Sequence, residues 1–193
     1  RLDVFQRTPN WLLPMENYHD RMEDEQLWCL RNLPFYDRWY RFYLFRARAI
    51  DGPLPMLYSE ADWQGEPQSV GPANAMLREA METYIGEQAG DDQALADALV
   101  PDYPPGGKRP VLDDGTWIST LKKDNVNLVT NAIEAIVPEG ILTSDGETHP
   151  FDVIIYGTGF HAQQFLSTLE VRGRGGQDLH HTWSGDPRAY KGI

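Results

Sequence analysis

The stretch DVIIYGTGF, residues 152–160, constrains the fold more than any other part of the chain. Val153, Ile154, Ile155 and Tyr156 follow one another without a polar break, so the run has no solvent face of the kind an alternating strand shows. A strand that is apolar on both sides belongs in a parallel sheet covered above and below. It runs directly into Gly157-Thr158-Gly159, where missing side chains let the backbone approach whatever lies beyond the carboxyl edge of the sheet. In open α/β sheets that edge is where ligands bind. A strand closed by a tight turn with no ligand satisfies the same pattern equally well.

The rest of the chain alternates in type. LDVFQR reads as a short strand closed by Thr8-Pro9, and residues 16–33 read as a helix with Leu27, Leu30 and Leu33 at helical spacing, broken by Pro34. Residues 35–50 put Phe35, Trp39 and Phe42 on one helical face, with Arg38, Arg41, Arg46 and Arg48 around it. That combination suits nucleic acid or a membrane surface. A formal net charge of −12 favours instead a packed aromatic face with snorkelling arginines. Asp51-Gly52-Pro53 opens a loop rich in Pro and Gly, and residues 73–88 and 91–100 are two further helices, so that 15–100 reads as a helical block. RPVLDDGTWISTLKKDNVNLVTN reads strand, short helix, strand. The segment 132–151 turns at Pro138-Glu139-Gly140 and Ser144-Asp145-Gly146, the pattern of antiparallel hairpins. The expected class is α/β with a helical insertion.

Several chemistries have nothing to stand on. No run approaches the roughly 18–20 apolar residues of a membrane span. The single cysteine, Cys29, forms no internal disulfide and fits a reducing, cytoplasmic compartment. His180-His181 lack metal-ligand spacing, there is no G-x-S-x-G elbow, and GRGGQD fails the spacing of a G-x-G-x-x-G loop. The acidic balance argues against a general nucleic-acid binder. With no initiator Met and no signal peptide, the chain reads as a piece of a longer polypeptide.

Two basic features stand out against the acidic background. Lys108 and Arg109 sit side by side in YPPGGKRPVLDD, a loop whose prolines and glycines set a turn. Such a pair is either solvated or the place where the protein meets an anion. Arg7 and Thr8 stand at the end of the first strand. In dinucleotide folds an acid at such a position reads the ribose hydroxyls of NAD, whereas an Arg accommodates the 2′-phosphate of NADP. Taken alone, that motif is read better as a strand-terminal Arg in solvent.

Taken in order, VFQRTPNW, YPPGGKRPVL and DVIIYGTGF resemble the flavin-dependent Baeyer–Villiger monooxygenases, nearest the group containing 4-hydroxyacetophenone monooxygenase, within the flavin-containing monooxygenases. The resemblance continues through NVNLVT and through VRGRGGQDLHHTWSGDPRAYKGI, although 15–100 matches in kind more than in motif. It implies a two-dinucleotide enzyme, with FAD in one Rossmann-like domain and NADPH in another. On that map residues 1–14 and 106–130 belong to the NADPH domain, 15–105 to its helical insertion, and 131–193 to the return into the FAD domain.

The resemblance also implies roles. Arg7, Thr8 and Lys108 would hold the 2′-phosphate of NADPH, and Arg109 would be the catalytic arginine. Gly157-Thr158-Gly159, with Gly where the family usually has Ala, would mark the crossing between the cofactor domains. The implied chemistry is reduction of FAD by NADPH, formation of a C4a-peroxyflavin with O2, and its attack on a ketone carbonyl to give an ester or lactone. The family's glycine-rich fingerprints are not in this sequence, so the isolated chain is expected to be inactive. Oxygenation of amine or sulfide heteroatoms, a non-catalytic nucleotide-binding fragment and a purely structural helical domain are the competing readings.

Overall fold

A computed structural model describes residues 1–15, 17–159 and 166–189, leaving aside the side chains of residues 48 and 49. The Arg48 side chain of the aromatic segment and all of Phe160 of DVIIYGTGF therefore lie outside what is described. The chain divides into two units, Arg1–His149 and Pro150–Ile193.

The first unit contains strands β1 (Leu2–Phe5) and β2 (Leu12–Pro14), helices α1 (Asp24–Asn32), α2 (Tyr36–Phe45), α3 (Pro72–Ala89) and α4 (Gln93–Leu99), then β3 (Val111–Asp113), α5 (Thr116–Leu121) and β4 (Val126–Val129). A meander of β5 (Ile133–Val137), β6 (Gly140–Thr143) and β7 (Thr148–His149) closes it. β1 pairs in parallel with β4, Leu2 opposite Val126, and β2 pairs in parallel with β3, Leu12 opposite Val111. Parallel neighbours require crossovers, and the helices supply them. The mixed α/β class read from the sequence is the class observed.

The core forms where the helices cross these strands. Met81, Ile85 and Ala89 recur every fourth residue and line one face of α3. Ile85 and Ala89 meet Ala96 and Leu99 of α4, Ile118 and Leu121 of α5, Leu12 of β2 and Val126 of β4. Full burial of side chains such as Ile85, Leu99 and Ile118 contributes about 1.5–3 kcal/mol each. Asp113, itself buried, starts α5: it accepts hydrogen bonds from the backbone N–H groups of Gly115 and Trp117 and from the Tyr84 hydroxyl of α3. The meander turns where expected. Gly146, at φ +84°, occupies the left-handed position of the second turn, and Asp145 accepts from the Thr143 hydroxyl and the Glu147 N–H.

Three expectations need correction. The helix expected over 16–33 begins only at Asp24. The residues before it have no apolar periodicity; Glu16 lies outside the described residues, and His19 meets Asp114 at 2.6 Å. The aromatic face expected to be packed is open: Phe35, Trp39 and Phe42 are 62, 69 and 53% exposed. The helical spacing is right, but among the described residues the rings meet one another rather than a facing element, with Trp39 edge-on to Phe42 and Arg38 over Phe35.

The third correction falls in the second unit, which holds a 3-10 turn at Arg174–Gly176 and helix α6 (Leu179–Trp183), begun by the Asp178 carboxylate accepting from the His181 N–H. Residues 153–159 form no strand there, and Ile155 is 87% exposed. A strand is completed by the backbone of its neighbours, and no described strand pairs with this run. β2, conversely, was not anticipated. Three residues ending in a proline carry too little pattern.

Candidate functional site

Two loops of the first unit carry the cations singled out in the sequence. After Phe5 the chain leaves β1 with the Gln6 N–H donating to the Val129 carbonyl and the Gln6 side-chain amide donating to the Ala98 carbonyl. The next residues are Arg7, exposed, and Thr8, half-buried. The chain re-enters the interior at Trp11, which is fully buried.

The second loop precedes β3. Pro104-Pro105-Gly106-Gly107 is a tight turn closed by the Gly107 N–H on the Pro104 carbonyl at 2.9 Å. Pro105 and Gly106 occupy the second and third positions, and the Gly106 φ of +90° suits a type II turn. Lys108 and Arg109 follow, both exposed.

Tyr103 fastens the two loops together. Its hydroxyl donates to the Pro9 carbonyl at 2.9 Å, and its own carbonyl accepts from the Trp11 indole N–H at 2.9 Å. The rings of Tyr103 and Trp11 meet edge to face, 6.5 Å apart, and the Val111 N–H donates to the Trp11 carbonyl at 2.8 Å. The Lys108 ammonium lies over the Tyr103 ring, 4.9 Å from its centroid. Burial pushes the Tyr103 hydroxyl above its ordinary value.

The structure therefore brings together the segments bearing Arg7 and Thr8 and those bearing Lys108 and Arg109. Among the described residues none of the three cations is in an ion pair, whereas Arg1, Arg21, Arg46, Arg78, Arg172 and Arg188 each face a carboxylate. Uncommitted positive charge on two adjoining loops suits an anion: Arg offers a planar fork, Lys a point charge and Thr a hydroxyl. The donor set fits the phosphate end of a dinucleotide.

Gly157, Thr158 and Gly159 belong to the other unit, where all three are exposed. Gly159 has φ +79°, a conformation that favours glycine, and a side chain added at Gly157 would meet nothing within 4 Å. Among the described residues, a side chain at Gly159 would likewise meet nothing within 4 Å.

Reading the sequence missed Tyr103 and Asn74. Tyr103 immediately precedes a Pro-Pro-Gly-Gly turn, a signal that could have found it. Asn74, in the first turn of α3, gives none, because its partners are backbone groups from distant segments.

No protein-family model matches the chain. Its similarities lie with flavin monooxygenases. An uncharacterized monooxygenase, y4iD, of Sinorhizobium fredii is 33% identical over 195 residues, covering 100% of this chain and 29% of the relative. A Baeyer–Villiger monooxygenase of Pseudomonas aeruginosa is 30% identical over 193 residues, covering 100% of this chain and 33% of that protein. Among solved structures, OTEMO in complex with FAD and NADP matches with a TM-score of 0.70 and 28% identity, over 100% of this chain and 40% of its own. A cyclohexanone monooxygenase mutant from Rhodococcus sp. Phi1 bound to NADP+ matches with a TM-score of 0.69 and 26% identity, over 100% of this chain and 41% of its own.

The chain is thus a mixed α/β portion of the kind found in monooxygenases that carry FAD and NADP domains. More particularly, it is homologous to the FAD-binding Baeyer–Villiger monooxygenases, and it spans about a third of the length of the curated relatives it matches.

Proposed function

We propose that the protein carrying this chain is an NADPH- and FAD-dependent monooxygenase that inserts one oxygen of O2 beside a ketone carbonyl, giving an ester or lactone. The observation that supports this reading is that Tyr103 fastens together the loops that bear Arg7–Thr8 and Lys108–Arg109, whose cations make no described ion pair in an acidic chain. On this reading residues 1–14 and 106–130 serve NADPH, 15–105 are the helical insertion, and 131–193 return to the FAD side.

Arg7 and Lys108 hold the 2′-phosphate of NADPH, with the Thr8 hydroxyl as a further donor. A phosphate neutralised by a fork and a point charge distinguishes NADPH from NADH by charge-assisted hydrogen bonds. Gly157, Thr158 and Gly159 lie at the passage toward FAD, where the glycine backbone leaves room for the cofactor. The flavin, when bound, supplies the redox chemistry with O2. Arg109 stabilises the negative charge that develops on oxygen as the ketone is attacked. Its guanidinium holds its charge at any working pH and gives up no proton while doing so. Placed beforehand, such a donor contributes about 3–4 kcal/mol to the transition state. We further infer a cytoplasmic location, which the lone Cys29 supports; no described helix is long and apolar enough to cross a membrane.

The test is Arg109→Ala in the full-length protein. Product formation falls by about 10²–10³ while NADPH consumption continues. Undiminished ester formation would remove Arg109 from the reaction, and an amine or sulfide oxide as the preferred product would replace ketone insertion with heteroatom oxygenation.

A further inference from the structure

We propose that Asn74 is a specificity-determining positioning residue: through the Pro104–Gly107 turn it sets where Lys108 stands, and so how strongly the protein prefers a dinucleotide bearing a 2′-phosphate to one without it. This rests on the assignment of Lys108 to that phosphate.

Asn74 is 1% exposed and lies in the first turn of α3, far in sequence from the basic loop. Its side-chain nitrogen donates to the Pro105 carbonyl at 3.0 Å and to the Met56 carbonyl at 2.9 Å, and its side-chain oxygen accepts from the Val70 N–H at 3.3 Å. Exchanging nitrogen and oxygen would set an acceptor against two carbonyls, so only this orientation satisfies the site. One amide thus joins three backbone segments. A buried amide committed in this way is costly to replace, because each carbonyl it leaves behind is desolvated and unpaired.

Its partners point at the basic loop. Pro105 is the second residue of the turn that delivers Lys108 and Arg109. Met56 lies in the 3-10 turn Leu54–Leu57, whose Leu57 side chain leans on the same turn: a Cβ at Gly106 would stand 2.9 Å from Leu57 Cδ2. The turn is therefore held from one side by the Asn74 amide and limited on another by Leu57. Lys108, three residues beyond Pro105, has the Tyr103 ring as its described contact. Its ammonium is placed by the backbone that carries it, so a turn released from Asn74 moves the charge away from where a phosphate is met.

The measurement is the ratio of kcat/KM for NADPH to that for NADH, on the full-length holoenzyme and on Lys108→Ala, Asn74→Ser, Gly106→Ala and the Asn74→Ser/Lys108→Ala double variant. A ratio does not depend on the fraction of enzyme that folds, so loss of stability alone leaves it unchanged. We expect Lys108→Ala to lower it by roughly tenfold or more, Asn74→Ser to lower it severalfold through KM for NADPH, and the double variant to fall no further than Lys108→Ala. Gly106→Ala strains the same turn independently and lowers the ratio too, which keeps the test decisive if Asn74→Ser yields no active enzyme. An unchanged ratio in both turn variants, with Lys108→Ala still lowering it, overturns the role of Asn74 and leaves the phosphate assignment standing. Additive losses in the double variant overturn it as well. An unchanged ratio in Lys108→Ala removes the phosphate assignment and the inference together.

Discussion

Single residues decide how the two cationic loops meet. Tyr103 combines a hydrogen bond to Pro9, an edge-to-face contact with Trp11 and a ring beneath Lys108. Tyr103→Phe removes only the first of these and is expected to cost about 0.5–1.5 kcal/mol of stability, measured by denaturant unfolding, with the ring contact to Lys108 kept. A loss above that range would show that the hydroxyl holds more than the Pro9 carbonyl. Asp114 makes a pH-dependent prediction. Hydrogen bonds from His19, and then from Thr116, hold its carboxyl at about 2, below its ordinary value of 3.8. A carboxyl depressed by folding stabilises the fold above its unfolded value, and that contribution disappears as pH falls through its folded value. The stability gap between the unaltered protein and Asp114→Asn should be full above about pH 4 and closed by about pH 2. A gap independent of pH would mean that the contribution is steric.

At the scale of elements, what the sequence revealed depends on whether a segment's own pattern marks its turns and its buried face. The β5–β7 meander was legible because its turn residues lie in the pattern, Gly146 marking one turn, whereas β1 and β4 were legible each from its own apolar run, although they pair in parallel from far apart in the sequence. The run VIIY has an unmistakable buried-strand composition but no described strand beside it, so composition alone could not place it. The aromatic helix α2 fails in the same way. Its period is right, and its face is uncovered. Replacing Trp39 by Ser should therefore change the stability of this chain by within about 0.5 kcal/mol, whereas Ile85→Ala, in the core where α3 meets α4 and α5, should cost about 2–5 kcal/mol. Equal costs, compared in one denaturant series, would contradict the exposure of α2. Helix α3 carries an alkaline counterpart to Asp114. Burial first, and then the hydrogen bond to Asp113, push the Tyr84 hydroxyl up to about 12 from 10.0. A group raised by folding stabilises below its unfolded value and ceases to as pH rises through its folded one. Stability should decline between about pH 10 and 12, and Tyr84→Phe should lose that part of the decline.

At the scale of the whole molecule, the chain spans about a third of the length of the curated relatives it matches. The basic residues were legible in the sequence because Arg7, Lys108 and Arg109 interrupt an acidic chain at a strand end and a turn. The residues that fasten them were not: Asn74 acts through backbone carbonyls that no spacing reveals, and Tyr103 is marked only by the turn it precedes. Gly157, Thr158 and Gly159 stand in a separate unit, and it is the family resemblance on which we propose the second cofactor for them. The full-length protein supplied with NADPH, a ketone and isotopically labelled O2 gives the most direct test of the central claim. An ester or lactone carrying one labelled oxygen, lost in Arg109→Ala while NADPH is still consumed, is the predicted result. NADPH consumed with no label in any product from the unaltered protein, or labelled ester formed equally well by Arg109→Ala, would contradict it.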